Sequence, residues 1–367
     1  MIHLTKYRRF LGGFLLLALA VSCATVGRGA AAYQEFSGNA VSVSKYGNVL
    51  TDISIEALEA AGYAKGDVLI IRSGNTDEEA PYVGTYSDVN RGRLLICPDA
   101  ATGQVELAIS YGNLSERFGI AAGDPVSLGM AKKGAYLGEY ESRHLEKSEN
   151  REDYAGDAVF ANFREIAVPA IRAKTFYRSC NPIRGDARAP YAARLAEGAG
   201  IKTIINLADS DEELAQGAPA SPWYKSMVDG GNVVNLSMGV DFQSPDFPAK
   251  LKKGLQFLIS REGPYLIHCN EGKDRAGIVS ALLEGLAGAK LADIKADYMI
   301  SYANYYGVRQ NESRYDLISN IIVDILREMN HGNEVTDRNL GQVVETYLTQ
   351  DVGLNAQEIS RLKALLR

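Results

Sequence analysis

The segment "YLIHCNEGKDRAGIVSALLEG", residues 265–285, constrains the fold more than any other part of this chain. An apolar run ending in His268-Cys269 reads as a buried strand, and the small and apolar residues after Arg275 read as a helix. A short polar loop containing Gly272 joins them. A strand that passes so directly into a helix implies an α/β layer arrangement, because the helix must pack back onto the sheet. The sequence from about residue 156 onward agrees. "KTIINLA" and "NVVNLSM" are strand-like, and they alternate with "ARAPYAARLAEGAG", "DFPAKLKKGLQFLIS" and "LADIKADYMISYANYY", which have helical spacing. "ESRYDLISNIIVDILREM" and "NAQEISRLKALL" add a helical tail. The expected C-terminal domain, residues 156–367, is therefore a mostly parallel sheet flanked by helices.

A chain of 367 residues exceeds the usual single domain. Between residues 37 and 131 the pattern changes to period-two alternation with Gly, Asn and Asp punctuation, as in "GDVLIIRSG", "GRLLICPD" and "QVELAISYGN". That predicts a small antiparallel β-barrel. The charged, unpatterned stretch 132–155 is expected to be a linker. A net charge of −6 argues against a nucleic-acid partner.

The loop itself suggests chemistry. Backbone N–H groups at a strand–loop–helix junction surround an anion, and the helix N-terminus adds partial positive charge. Gly272 permits the backbone angles that such a nest needs. Arg275 offers a planar fork for two phosphate oxygens. A cysteine at that place has its thiolate stabilised. Cys269-x5-Arg275 thus reads as a phosphate cradle with a nucleophilic sulfur, against the alternative of a structural cysteine. Neither Cys97 nor Cys180 has an arginine at that spacing, and no pair of cysteines or histidines has zinc-ligand spacing.

"HCNEGKDRAG" resembles the HCxxGKDRTG signature of the cysteine-dependent tyrosine phosphatases. It is most similar to the bacterial branch active on phosphotyrosine and, in several members, on phosphoserine, phosphothreonine and phosphoinositides. "NFREI", "TFYRSC", "ADYMIS" and "YLTQDVGLNAQEISRLKALL" resemble further elements of that branch. The resemblance implies Cys269 as nucleophile, Arg275 as transition-state clamp and the N–H groups of Asn270 through Arg275 as the cradle, with Glu271, Gly272 and Lys273 in it. No metal or other cofactor is implied, and the expected substrate is a phosphorylated protein or a phosphoinositide. Asp274 is the expected general acid, with Asp241 and Asp246 in "MGVDFQSPDFP" as alternatives. His268 is either a core residue or an orienter of the loop, and Lys273 either a solvated charge or a contact for polyanionic heads. Arg178 is either a surface arginine or an outer substrate contact. Ala276 stands where the family carries a Thr or Ser whose hydroxyl helps the thiolate leave, so turnover is expected to be slower. "NLADSDEE" lacks the arginine of the family's DLRS…E element. A rival reading is therefore a phosphate- or lipid-head-binding protein with impaired turnover.

"KYGNVLTDI", "TYSDV" and "GQVELAISYGNLSERFGIAAGDPVSL" resemble the C-terminal barrel of the S-adenosylmethionine hydroxide adenosyltransferases. The partner domain that carries that family's chemistry is expected to be missing, for want of room between Cys23 and the barrel. The barrel is expected to serve packing or recognition, with nucleoside binding at Asn48 as an alternative; Asp52 replaces a usual asparagine.

Residues 1–23 read as a signal peptide. Lys6, Arg8 and Arg9 precede "LGGFLLLALAV", which is short for a membrane span, and "AVSC" resembles a lipobox ending at Cys23. Lipidation of Cys23 would anchor the mature chain in a bacterial envelope, at the outer membrane or cell surface. The alternative is an ordinary signal peptide cut near "ATVGRGAAA", giving a secreted or periplasmic protein. On the lipobox reading the mature protein fractionates with membranes and Cys23→Ala releases or mislocalises it. Soluble wild-type protein whose N-terminus lies beyond residue 25 would defeat that reading.

Overall fold

A computed structural model describes residues 33–367. Cys23 and the apolar run before it lie outside the described residues. Strands β1 (Phe36–Val43), β2 (Val49–Ser54), β3 (Val68–Ser73), β4 (Thr76–Pro81), β5 (Leu94–Pro98), β6 (Gln104–Ile109) and β7 (Pro125–Lys132) form an antiparallel sheet in the order β4-β3-β7-β1-β2-β6-β5. A parallel bridge from Tyr82, just past β4, to Ile96 in β5 draws the two edges together, so the barrel is nearly closed. Alternation supplies its core: Val49 and Ile53 of β2 point inward with Leu69, Ile71, Leu107 and Leu128. Short helices α1 (Ile55–Ala60) and α2 (Leu114–Phe118) add Leu58 and Leu114 to that core.

The C-terminal sheet is built from β8 (Arg164–Glu165), β9 (Phe176–Ser179), β10 (Thr203–Asn206), β11 (Val233–Asn235) and β12 (Tyr265–His268), in the order β11-β10-β12-β9-β8. Every pairing is parallel except that of β8 with β9. Strand β12 lies between β10 and β9, and all four of its residues are buried. That position explains its unbroken apolar run, since a central parallel strand is covered on both faces.

The remaining helices, in chain order, are α3 (Leu137–Arg143), α4 (Asp157–Phe160), α5 (Ala189–Gly198), α6 (Asp211–Gly217), α7 (Pro222–Asp229), α8 (Phe247–Ile259), α9 (Asp274–Ala287), α10 (Leu291–Tyr306), α11 (Ser313–Met329), α12 (Leu340–Gln350) and α13 (Ala356–Leu366). The larger core joins the sheet to α8, α9, α12 and α13 through Leu255, Val279, Leu283, Leu348 and Leu362. The smaller core, on Ile204 and Leu266, takes α5 and α7 through Ala196, Tyr224 and Met227. Arg275 through Leu286 of α9 are all buried, so the helix that follows the loop is the central helix of the domain.

The stretch expected to be an unpatterned linker is folded. Tyr136, just before helix α3, and Tyr140 within it pack against Val83, Val89 and Leu95 on the barrel. Its Gly138 lies against α11, where a Cβ would stand 2.7 Å from Leu317 Cδ1 and 3.0 Å from the Ser313 carbonyl. A short helix wedged between two partners has no single apolar stripe, which is why periodicity did not announce it. Among the described residues no helix is long and apolar enough to cross a membrane.

Candidate active site

Cys269 follows the last residue of β12 and is buried, and α9 begins five residues later at Asp274. Gly272 has φ +66°, and a Cβ there would stand 2.2 Å from the Ser179 carbonyl, so only glycine fits. Among the described residues, none of the backbone N–H groups from Asn270 through Ala276 has a protein acceptor; Gly277 is the next that does, bonding to Lys273 O.

The carbonyls of the same loop are all held. Asn270 O accepts from Asn181 N at 3.1 Å. Glu271 O accepts from Asn162 Nδ2 at 2.9 Å and Tyr305 Oη at 2.8 Å. Gly272 O accepts from Arg178 Nε at 3.1 Å and Nη2 at 2.8 Å, and Lys273 O accepts from Arg178 Nη2 at 3.0 Å. A trans peptide points its N–H opposite to its C=O. Fixing these carbonyls from behind therefore turns the N–H groups of Glu271 through Asp274 the other way.

Arg178 is thus neither a surface arginine nor an outer substrate contact. It is fully buried, and Asp297 of α10 takes its Nη1 at 2.5 Å. Arg164 joins the cluster through Asp297 at 3.2 Å. These two guanidinium groups hold the Asp297 carboxyl below the usual range in spite of its burial, which opposes ionisation. Nearby Glu284 is shifted well up, by burial first and then by the Asp297 charge, both of which favour its protonated form.

His268 is buried, with its Nε2 at 2.8 Å from Tyr224 Oη. That hydroxyl meets Asn206 Nδ2 at 3.3 Å, and Asn206 and Asn181 both donate to Asp209 at 2.8 Å. Burial pushes the His268 pKa down to about 4; Asp209 opposes this and Arg275 adds to it, leaving a neutral ring at neutral pH. The chain of bonds runs from the strand end to Asn181, which ties to the loop at Asn270. Arg275 is buried too. Its Nη1 donates to Met238 O at 2.8 Å, while its Nε has no protein partner among the described residues.

The polar rim differs from the sequence expectation at Lys273. It is not a solvated charge: its Nζ lies 2.7 Å from Asp274 Oδ1 and 4.9 Å from the Tyr302 ring centre. Burial pushes its pKa down, but Asp274 and Tyr302 outweigh burial and raise it. Asp274 is therefore ion-paired at the start of α9. Asp246 is bound by Lys250 at 2.7 Å and by Ser244 at 2.8 Å, and these partners lower its pKa. Asp241 accepts from Gln243 N at 2.9 Å. Ala276 is fully buried on α9. Among the described residues no group of three or more His, Cys, Asp or Glu side chains is placed to hold a metal ion.

The stretch after α3 reaches this site. Lys147 Nζ lies 2.5 Å from Glu271 Oε1. Arg188 secures the strap, donating to Ser148 O at 2.5 Å, Tyr154 Oη at 2.7 Å and Glu149 Oε2 at 3.2 Å. Lys147, Arg184, Arg188, Asn270 and Glu271 line a cavity of about 340 Å³ beside the loop. A separate cavity of about 670 Å³ on the barrel is lined by Tyr46, Asn48, Tyr86, Arg91 and Tyr111. Asn48 Nδ2 donates there to Tyr86 Oη at 3.1 Å, and Asp52 is taken up elsewhere, by Asn39 N at 2.6 Å.

Residues 240–367 match the tyrosine phosphatase family. That span holds His268 through Ala276 and leaves Arg178 outside it. Residues 38–127 match the SAM hydroxide adenosyltransferase C-terminal domain. Among solved structures, an uncharacterized conserved protein from Thermotoga maritima is 28% identical over 26% of this chain and 36% of its own, with a TM-score of 0.25. This chain thus spans about a third of that relative. The core catalytic domain of the PP-IP phosphatase SIW14 from S. cerevisiae is 20% identical, over 47% of this chain and 93% of that one, with a TM-score of 0.28. TpbA from P. aeruginosa is 16% identical, over 50% and 96%, with a TM-score of 0.29. Comparison with curated proteins returned no match.

The residues that sequence reasoning missed are the supports: Asn162, Asn181, Asp209, Tyr224, Asp297 and Tyr305. Asp209 lies just beyond the C-terminal end of β10, where α/β sheets place functional groups, and that position was a usable signal. Asp297 gives a direct test. Removing one member of a buried ion pair typically costs about 3–5 kcal/mol. Asp297→Ala is expected within that range, because it leaves the Arg178 and Arg164 guanidinium groups without their shared carboxylate. Chemical denaturation checks the value, and a change below about 1 kcal/mol, the scale of an exposed pair, would contradict the buried-clamp reading.

Proposed function

We propose that the C-terminal domain hydrolyses phosphomonoesters through a cysteinyl-phosphate at Cys269. The observation that carries the proposal is the run of N–H groups from Asn270 through Arg275, which lacks protein acceptors while Arg275 Nε is buried without a partner. Such donors suit the equatorial oxygens of a transferring phosphoryl group. In this reading the Cys269 sulfur attacks phosphorus as the ester oxygen departs. Arg275 and the loop N–H groups bear the developing charge, and water then cleaves the S–P bond. The fully buried His268 and its bond to Tyr224 support the strand end from which Cys269 projects.

Asp274 is the proposed general acid. Asp246 is paired with Lys250 and Asp274 with Lys273, so the choice of Asp274 rests on its place within the loop itself, beside Arg275. The proposed substrates are phosphotyrosine, phosphoserine or phosphothreonine proteins or phosphoinositides, met from an envelope anchor at Cys23. Ala276 favours a second reading, a phosphate- or lipid-head-binding protein in which turnover is impaired.

Hydrolysis of para-nitrophenyl phosphate by the purified chain in EDTA separates the two readings. Turnover is expected, lost in Cys269→Ser, whose hydroxyl is a far poorer nucleophile than a thiolate, while phosphate binding persists. Arg275→Lys is expected to fail as well, for want of the fork. No turnover with retained phosphate or vanadate binding would favour the binding protein, and loss of activity on chelation would sink the metal-free mechanism.

Asp274→Asn is expected to slow cleavage of alkyl phosphates more than aryl phosphates, within the about 10²–10⁴-fold that acid catalysis contributes. Equal slowing of both would make Asp274 structural and move the search to Asp241 and Asp246. For Ala276, serine is the better probe than threonine, since the site is fully buried and extra volume strains a packed core. Ala276→Ser is expected to speed dephosphorylation by an amount equivalent to about 1.5–3 kcal/mol, the scale of one hydrogen bond to a charged group. An unchanged burst amplitude would show that another group already serves the leaving thiolate.

A further inference from the structure

The loop is electrically balanced on its own. Its charged side chains are Glu271, Lys273, Asp274 and Arg275, so two acids cancel two bases. Lys273 and Asp274 pair with each other at 2.7 Å, and Lys273 comes no nearer than 3.9 Å to Glu271. That leaves Glu271 set against Arg275. The Glu271 side chain is about a quarter exposed and lines the cavity beside the loop. Its own N–H belongs to the row turned toward the anion site, so its carboxylate stands within one side-chain length of that site. A phosphoryl dianion there meets like charge, and the repulsion acts on both of its negative charges.

The charge that covers Glu271 comes from outside the loop. Lys147 Nζ lies 2.5 Å from Glu271 Oε1 and 5.4 Å from the centre of the Tyr305 ring, whose hydroxyl donates to Glu271 O. The more exposed Glu149 reaches Lys147 only at 3.5 Å. The ion pair is not what holds the lysine in place. The carbonyl of the next residue, Ser148, accepts from Arg188 Nη2 and from Tyr154 Oη at 2.6 Å. Arg188 is buried, with its guanidinium 4.3 Å from the Phe160 ring centre and 4.8 Å from that of Tyr305. Lys147 is thus delivered by an anchored backbone, which lowers the ordering entropy that weakens most exposed ion pairs. Residue 147 lies between the two matched spans, 38–127 and 240–367.

We propose that Lys147 is a positioning residue of the phosphate site: by neutralising Glu271 it leaves Arg275 and the loop N–H groups unopposed, and so sets the affinity of the loop for dianionic phosphate. The proposal rests on the loop being the anion site of the function proposed above. It extends that site to a segment that neither matched span covers.

Tungstate, a tetrahedral dianion, is the probe for binding to the full chain by calorimetry, alongside kcat/KM for para-nitrophenyl phosphate, each over a range of sodium chloride. Lys147→Gln is expected to weaken tungstate binding about tenfold at low salt and to lower kcat/KM by a similar factor. Both losses are expected to shrink toward about 1 M salt, where the Debye length is about 3 Å. Lys147→Arg is expected to stay close to wild type. Lys147→Gln combined with Glu271→Gln is expected to recover the lost affinity, because the charge to be covered is gone. Binding by Lys147→Gln within about twofold of wild type at low salt, the scale of an ordinary exposed pair, would overturn the proposal. So would a loss that salt leaves unchanged, or one that persists in the double variant, since Lys147 would then touch the anion directly or serve only the fold. Tungstate binding is scored without turnover. A chain that shows this pattern yet hydrolyses nothing counts against the phosphatase reading alone, and a wild-type chain that binds no tungstate overturns both.

Discussion

The candidate site depends on a guanidinium that never reaches it. Arg178 lies behind the loop with two of its nitrogens on the carbonyls of Gly272 and Lys273, and Asp297 holds the third. A loop of this length left to itself would turn some carbonyls toward the anion, and one such dipole would oppose binding. Arg178, Asn181, Asn162 and Tyr305 occupy four successive carbonyls, so every peptide from Asn270 to Lys273 is fixed in one sense. The buried charge that this requires is tolerable because it is paired and fully hydrogen-bonded. The position of α10 follows from the same need, since it supplies both Asp297 and Tyr305.

What was legible in the sequence was contiguous. Cys269 through Arg275 stand in one run between a strand and a helix, so their types and spacing implied the nest without any knowledge of tertiary contacts. The alternation in β2 and the unbroken run of β12 were likewise local consequences of half-buried and fully buried strands. The supports were not legible, because Asn162, Arg178, Tyr305 and Asp297 come from three separate parts of the chain and converge only on folding. Arginine in a single sequence reads as a surface residue, and Arg178 has no nearby acid in the chain to suggest a buried pair. The charged run before residue 155 failed for a related reason. Its Tyr136 and Tyr140 serve the barrel, its Gly138 serves α11, and its Lys147 serves the loop, so no one periodicity describes it.

That middle segment also defines how the two domains meet. Tyr136 donates to Asp88 O at 2.9 Å, and Arg143 donates to Asn90 Oδ1 at 2.6 Å, both on the barrel. A few residues on, Lys147 touches Glu271 of the loop. Barrel and cradle are therefore connected by one short stretch of chain with polar contacts at both ends. The Ser87–Arg91 turn that receives Arg143 also supplies Ser87, Val89 and Arg91 to the wall of the larger barrel cavity. The barrel is in this sense part of the surroundings of the site, although none of its own residues enters the loop.

The division of labour across the C-terminal domain has an energetic logic. N–H groups without protein acceptors, and an arginine nitrogen buried without one, are unfavourable in a fold considered for stability alone. They are held in place by the most thoroughly buried part of the molecule, β12 and α9, whose apolar contacts supply the stabilisation that the loop does not. Donors oriented in this way need little rearrangement when negative charge develops beside them, which is the condition under which electrostatic stabilisation of a transition state is greatest. The same rigidity leaves little tolerance at the loop for added volume, as the 2.2 Å approach at Gly272 and the complete burial of Ala276 show. A hydroxyl at position 276 must therefore fit within existing space, and on the proposed cysteinyl-phosphate chemistry the alanine there marks a site where close packing and the second step make opposing demands.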